Sequence, residues 1–485
     1  MHYKVSVADA IEHFIQLEYT IPHIHQDFIE VQLPAWRPGR YELQNFAKNV
    51  RWFQVYDEQN NPVKFQKVTK DRWHIHTKGI KTIRIDYQYY ANQPDAGACY
   101  ADANYLYINP VHCFMYVEGR MDESYTIDFM VNDDVVVAGQ LNQIGKHSFT
   151  APNFDYLADS PIIASNTMEH HQIQVNNTNI HFWFQGKHPF DITRLKSDTA
   201  AYTQTQTAIF GELPCSEYHF LYLIHPYPAR HGVEHLNSTV IAMGQLPDQT
   251  EEEFYHDLLA ISSHELFHLW NIKRIRPAEM LPYDFTKENY STLGYVYEGV
   301  TTYYGDLMLL ESGVWNWEQY AESFSSDLKR HFNNPARNHY SVAESSWDTW
   351  LDGYVSGILA RKVSIYIEGM IAAFIADTMI IEGSKGKYRL HDVMRALYDQ
   401  CVKKHIGYTE ELYKNLLEQY GQQSFDTYFE KIIHGIGAWD EAMNKACARI
   451  GCELIQKPNG DKFLSQINNP TKQQLAYFSA WLGMK

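Results

Sequence analysis

The chain has 485 residues, 45% of them hydrophobic and 20% charged, which is the balance of a soluble globular protein and more than one compact core usually serves. Its 41 basic and 58 acidic side chains leave a formal charge of −17, and no dense Lys/Arg tract offsets it. A phosphate backbone is therefore excluded as a partner, whereas a cationic ligand such as a peptide's free amino terminus is mildly favoured.

The opening segment, MHYKVSVADAIEHFIQLEYT, lacks a basic stretch followed by an apolar one, so no signal peptide is read and a cytoplasmic location is expected. From residue 1 to about 160 polar and apolar residues alternate, as in HFIQLEYTI, TIRIDYQYY and YTIDFMVNDDVVVAG, with turn signals such as Asn60-Asn61-Pro62 between them. This is an all-β pattern, read as a sandwich. Two further strands are expected near 181–186 and 218–225. After residue 250 apolar residues recur at three- and four-residue spacing, which predicts helices over 251–272, 294–312, 317–332, 358–382, 390–404, 408–420, 424–433 and 440–450. The apolar stretch from Met370 to Ile381 is too short to span a bilayer and contains Asp377, so no membrane partner is expected. The six cysteines form no C-x-x-C pair and read as free thiols. Asn176, Asn237 and Asn289 open N-x-S/T triplets that carry no meaning without secretion.

The segment 261–277, ISSHELFHLWNIKRIRP, contains H-E-x-x-H at His264, Glu265 and His268. Residues four apart share one face of a helix, so both imidazoles can point at one zinc. Glu265 sits one step round, where its carboxylate can take the proton of a water acidified by the metal. Such a string also arises by chance in a chain with 24 His, so a second element is needed. The segment 294–313 offers Glu298, 30 positions after His268, on a following helix that ends at Gly313. A carboxylate there completes a His₂Glu set and leaves the fourth position open, as catalytic zinc requires. Asp306 lies two turns beyond Glu298, either orienting a ligand histidine or serving as an ordinary helix-pairing acid. Lys273, Arg274 and Arg276 read as locally paired cations, and Trp270 as core.

Five stretches together resemble the glycyl aminopeptidase family of gluzincin metallopeptidases, which often carry a PDZ domain. HELFHLWNIKRIRP resembles its zinc helix and YEGVTTYYGDLMLL its third-ligand segment. HGVEHLNS (231–238) resembles its G-G-L-E-H-x-x-S element, and LPAWRPGRYELQNFAKNV (33–50) a signature of its amino-terminal domain. VSIYIEGMIAA (363–373) resembles a Y-x-K-G helix shared with the more distant aminopeptidase N family. The resemblance implies an α+β multidomain protein: a β-sandwich domain over 1–165, a mainly helical thermolysin-like catalytic domain over 166–385, and a helical region over 386–485. It implies release of small amino-terminal residues, Gly or Ala, from peptides with a free amino terminus. It places one Zn²⁺ per chain on His264, His268 and Glu298, and the base on Glu265. The amine-binding carboxylate falls on Glu234, beside Gly232 in the same substrate-binding element, and a transition-state hydrogen-bond donor on Tyr366.

Three features depart from the family pattern. Glu368 stands where Y-x-K-G has Lys, and His231 stands where the G-G-L-E-H element has its first Gly. Residues 439–454, WDEAMNKACARIGCEL, resemble the approach to a PDZ domain, but the 30 or so residues that follow are too few to build one. Two other readings keep the same metal site. One is an endopeptidase or oligopeptidase in which Glu234 is merely structural. The other is a non-catalytic peptide-binding scaffold on a peptidase fold. Oligomeric state is not readable from the sequence.

Overall fold

The computed structural model describes residues 1–352 and 357–484. It divides by contacts into two compact units. The first comprises Met1–Pro189, Cys215–Phe254 and Phe285–Glu288, and the second Phe190–Pro214, Tyr255–Asp284 and the chain from Asn289 onward.

The first unit is β-rich, as the alternation predicts. Along Phe14–Ile21 every second side chain is buried, so Ile15, Leu17, Tyr19 and Ile21 face the core. This strand lies inside a seven-stranded sheet between His2–Asp9 and Ile83–Tyr90. All pairings in that sheet are antiparallel except His2–Val5 with Thr126–Phe129. A four-stranded sheet containing Phe28–Gln32 and Arg72–His76 packs against it through Phe53, whose ring stacks on Trp73 at 4.7 Å. Two of the tyrosines in this core tie their hydroxyls to backbone carbonyls: Tyr3 donates to Met115 O at 2.9 Å and Tyr87 to Cys113 O at 2.6 Å. A second four-stranded sheet holds Tyr105–Ile108 and Ile162–Ser165.

The unit also contains a mixed five-stranded sheet, which the sequence reading grouped with the catalytic domain. Thr178–Gln185, Glu217–Ile224 and Ser238–Gly244 run parallel through its centre. Glu169–Val175 and Ala229–Glu234 close its two edges antiparallel. The expected strands near 181–186 and 218–225 are its central pair, while its edge strands were not anticipated.

The second unit is built mainly of helices. Its centre is Ile367–Gly383, a helix with buried residues on every side. This is the apolar stretch read above, and Asp377 is tolerated within it because its carboxylate is fully engaged. Tyr303 Oη donates to it at 2.7 Å, the Leu390 amide at 2.7 Å, and the Arg389 guanidinium lies 3.5 Å away. Helices Trp317–Asn333, Leu390–Lys404 and Glu410–Gly421 fall where the periodicity expects them. Asn316 and Thr409 cap the first and last of these through their side-chain oxygens. The predicted helix over 358–382 starts late, at Ile367. Near the carboxy terminus a two-stranded hairpin, Cys452–Gln456 with Lys462–Gln466, precedes the helix Lys472–Trp481. Trp481 Nε1 donates to Tyr303 Oη at 2.7 Å, which ties that last helix into the unit's core.

Candidate metal centre

The helix Glu251–Phe267 carries the motif, with three acidic residues in its first turn where the helix dipole favours them. His268 lies one residue beyond its end but keeps its amide on His264 O at 3.3 Å, so the i, i+4 relation survives. Two neighbours clamp this turn. Gln206, on the helix Ile192–Phe210, donates to Ser263 O at 2.9 Å and to Ser263 Oγ at 3.0 Å. On the other side Ser263 Oγ donates to Gly305 O at 2.6 Å. A Cβ at Gly305 would sit 3.2 Å from His264 Cα, so that helix crosses directly over the ligand.

Glu298 arrives from a π-helical turn, Tyr295–Val300, that runs into the α-helix Thr301–Glu311. Such turns widen the helix locally and recur at functional sites. Its oxygen lies 3.4 Å from His268 Nε2 and 3.9 Å from His264 Nε2, and the two imidazole nitrogens are 3.0 Å apart. Four ligands held tetrahedrally at zinc–ligand distances of 2.0–2.2 Å are separated by about 3.3 Å. The three donor atoms thus already outline one face of such a tetrahedron. The imidazole planes stand 84° apart, so their lone pairs converge instead of running side by side. His268 and Glu298 are almost fully buried, which is costly for polar groups unless something binds between them.

The orientation of His268 is fixed by a residue that the sequence reading did not single out. His268 Nδ1 donates to the backbone carbonyl of Asn271 at 2.6 Å, which puts the ring's lone pair on Nε2, on the side of His264 and Glu298. The Asn271 side chain in turn donates to Val296 O at 2.9 Å and Thr301 Oγ1 at 3.0 Å, on the segment that carries Glu298. One asparagine therefore joins the two halves of the ligand set. The available signal was its place three residues after the second motif histidine.

Glu265 is buried on the same turn as the two histidines. Tyr366 is at the amino end of the helix Ile367–Gly383, its ring centroid 6.5 Å from that of His264. The approach is set by two glycines. A Cβ on Gly299 would come within 2.3 Å of Gly369 Cα, and one on Gly369 within 2.6 Å of Gly299 Cα, so the two backbones touch. Asp306 accepts Ser323 Oγ at 2.6 Å. Arg274 donates to Leu269 O and Pro214 O, and Arg276 lies over the Tyr283 ring, so both are engaged within the unit. Trp270 is core, stacked on Phe210 at 4.7 Å.

Glu234 and Gly232 belong to the first unit, on the edge strand Ala229–Glu234. The Glu234 carboxylate is buried, and its Oε1 has no hydrogen-bond partner among the described residues. It packs against Gly39 in the Arg37-Pro38-Gly39-Arg40 turn, where φ is +77° and a Cβ would fall 2.6 Å from Oε2. Only glycine fits there. A buried carboxylate oxygen left open in this way calls for a donor, and a cationic one serves best. Gly232 pairs with Ile241 in the same sheet. His231, the departure beside it, is held on both ring nitrogens: Nδ1 donates to Asp95, and Nε2 accepts from Arg37 Nη2 at 3.4 Å. Burial alone would raise the Asp95 carboxyl, but the His231 contact, the Gly97 amide and Arg37 hold it well below the usual carboxylate range.

A second group of metal-ligating residue types, His181, Glu217 and His219, lies on the five-stranded sheet. The rings of His181 and His219 are stacked, their centroids 4.7 Å apart and their planes 10° from parallel. Trp183 Nε1 donates to His219 Nδ1 at 3.2 Å, which leaves the proton of the neutral ring on Nε2. Lone pairs in parallel planes do not meet at one ion, so this cluster is a stack and not a chelate.

Residues 2–166 match the family model described as the peptidase M61 N-terminal domain, and residues 257–372 match that of the M61 glycyl aminopeptidase. Among solved structures, an aminopeptidase N family protein from Idiomarina loihiensis aligns with a TM-score of 0.87 at 24% identity, covering 97% of this chain and 82% of that one. An M1 zinc metallopeptidase from Deinococcus radiodurans aligns with a TM-score of 0.55 at 13% identity, covering 89% and 93%. A variant of that enzyme bound to a Tyr-Ser-Ala substrate gives 0.53 at 13% identity, again covering 89% and 93%. At these identities the likeness speaks for the fold: a β-rich amino-terminal part followed by a helical one. No curated protein matches the chain. Among the described residues no helix is long and apolar enough to cross a membrane.

Proposed function

The chain belongs to the M61 glycyl aminopeptidase family and is a zinc metallopeptidase; from that premise we propose that it removes small amino-terminal residues, Gly or Ala, from peptides whose amino terminus is free. The observation that carries the reading is the convergence of His264 Nε2, His268 Nε2 and a Glu298 oxygen, at the spacing of one face of a zinc tetrahedron, with Glu265 on the same turn. One zinc ion per chain, held by these three, would supply a Lewis acid that sharpens a water into a nucleophile and polarises a carbonyl.

The chain's own residues would do the remainder. Glu265 accepts the proton of the attacking water on its carboxylate and returns it to the leaving amine nitrogen, so the peptide bond breaks with one water consumed. Tyr366 donates its phenol hydrogen to the carbonyl oxygen as negative charge builds there. Glu234 accepts the substrate's α-ammonium through charge-assisted hydrogen bonds, a role supported by its buried, open Oε1 and by its match to the family's G-G-L-E-H element. Asn271 and Thr301 keep the ligand segments in register through the bonds described above.

The test is hydrolysis of alanyl and glycyl chromogenic amides with and without chelator, alongside zinc content of wild type and Glu265→Gln. Chelator-sensitive release by wild type, with zinc retained and activity lost in the variant, is the expected result. Acetylation of the substrate's amino terminus should abolish turnover. Equal rates on blocked and free peptides would shift the reading to an endopeptidase, and absence of stoichiometric zinc would overturn it.

A further inference from the structure

The family's Y-x-K-G helix has Lys where this chain has Glu368, two residues after Tyr366. In the structure this carboxylate is buried at 1% exposure inside the second unit. Its Oε1 accepts from His331 Nδ1 at 2.9 Å, and His331, in the last turn of the helix Trp317–Asn333, is itself fully buried. Its Oε2 accepts the Ser364 amide at 2.9 Å. Ser364 Oγ then takes the Ile367 amide at 3.2 Å, and the Glu368 amide closes on Ser364 O at 3.0 Å. Glu368 and Ser364 thus staple the single turn that contains Tyr366, in the manner of a reciprocal helix cap.

The His331 ring has no second polar tie, since its Nε2 has no hydrogen-bond partner among the described residues. Trp439 meets the imidazole edge-on at 5.7 Å. Its one directed bond is therefore the one to Glu368. On its next residue, Gly369, the same helix touches Gly299, the neighbour of Glu298.

We propose that Glu368 and His331 form a positioning pair that replaces the family's Lys and fixes the Tyr366 turn against the helix Trp317–Asn333, so that the phenol is held toward the ligand histidines. The proposal rests on the aminopeptidase reading for its kinetic arm and is independent of that reading in its spectroscopic arm. Reversal of charge is accommodated because the carboxylate is spent on two inward donors, one from the backbone and one from His331.

Asparagine presents a side-chain N–H close to where histidine presents Nδ1–H, so His331→Asn retains the donor and His331→Ala removes it. In the zinc-loaded full chain, His331→Ala should lower kcat on an alanyl amide by about tenfold while KM stays within about twofold and zinc content holds. His331→Asn should recover most of that loss. Glu368→Gln can accept only one of the two donors with its single carbonyl oxygen and should fall between them. In parallel, 3-fluorotyrosine placed at position 366 reports the turn by its ¹⁹F line whether or not an amide is cleaved. A sharp line in wild type and His331→Asn, shifted or broadened in His331→Ala, supports the pair even if alanyl amides prove to be poor substrates. Identical lines in all three proteins would overturn the proposal, and so would equal losses of kcat in His331→Ala and His331→Asn. If His331→Ala does not fold, the Glu368→Gln line decides by the same criterion.

Discussion

Among the described residues two clusters bring together two histidines and a glutamate, and one of them has the geometry of a metal site. His264 and His268 stand 84° apart and aim their Nε2 atoms into a common space with Glu298. His181 and His219 sit on paired parallel strands with ring planes 10° from parallel. The difference follows from the scaffold. A helix turns successive same-face side chains about its axis, so i and i+4 approach one point from different directions. Neighbouring strands present side chains as parallel pegs, and aromatic pegs stack. Residue identity alone does not separate the two clusters; the direction of the lone pairs does.

The sharpest test of that contrast is a pair of truncations. His268→Ala should empty the zinc site and lower hydrolysis by at least about a thousandfold. His181→Ala should leave zinc, measured by atomic absorption, at the wild-type ratio; a loss there would break the distinction. Next in size, Asn271→Ala should weaken zinc binding about 10- to 100-fold in a chelator competition: alanine keeps the carbonyl that holds His268, but the side-chain bonds that anchor it to Val296 and Thr301 on the Glu298 segment are lost. Gly299→Ala should lower unfolding free energy in urea by roughly 2 kcal/mol or more, since the new Cβ meets the Gly369 backbone and no flexible side-chain tip can yield.

The smallest effect belongs to the stacked cluster. Burial, with His181 and His170 beside it, pushes His219 down to about 3. An unfolded imidazole titrates near 6.5, so between pH 6.5 and 3 the unfolded chain takes up a proton that the folded one refuses. This contribution is fully present above pH 6.5 and is lost as pH falls, by up to roughly 1 kcal/mol per pH unit. Thermal melts from pH 7 to 4 should show a shallower decline for His219→Gln than for wild type.

What could be read in advance tracks how the core is made. The helix Leu390–Lys404 was legible to the residue because Leu390, Val393, Met394, Leu397 and Cys401 face inward at helical spacing. Ile192–Phe210 was missed because its buried side is Thr199, Thr203, Gln206 and Thr207 along with a few apolar residues. A helix that buries polar groups erases the hydrophobic period, and this one backs the metal motif through Gln206. The late start at Ile367 has a similar origin: Ile358, Leu359, Val363 and Ile365 extend the apolar pattern, but the side-chain bond from Ser364 defines where the helix begins. In the site, ligand types and spacing were readable. Asn271 was not, because its contribution to His268 is a backbone carbonyl, which every residue carries.

The π turn at Tyr295–Val300 has a consequence for how this chain tolerates change. One residue in a helix corresponds to about 100° of rotation. Excising a single residue from that turn, so that it relaxes to α-helical winding, would swing Glu298 off the histidines while leaving the downstream helix intact. A library of one-residue deletions should therefore contain folded, metal-free members at positions 295–300, outside the histidine motif itself. Deletions in exposed turns such as Asn60–Asn61 should spare the ion.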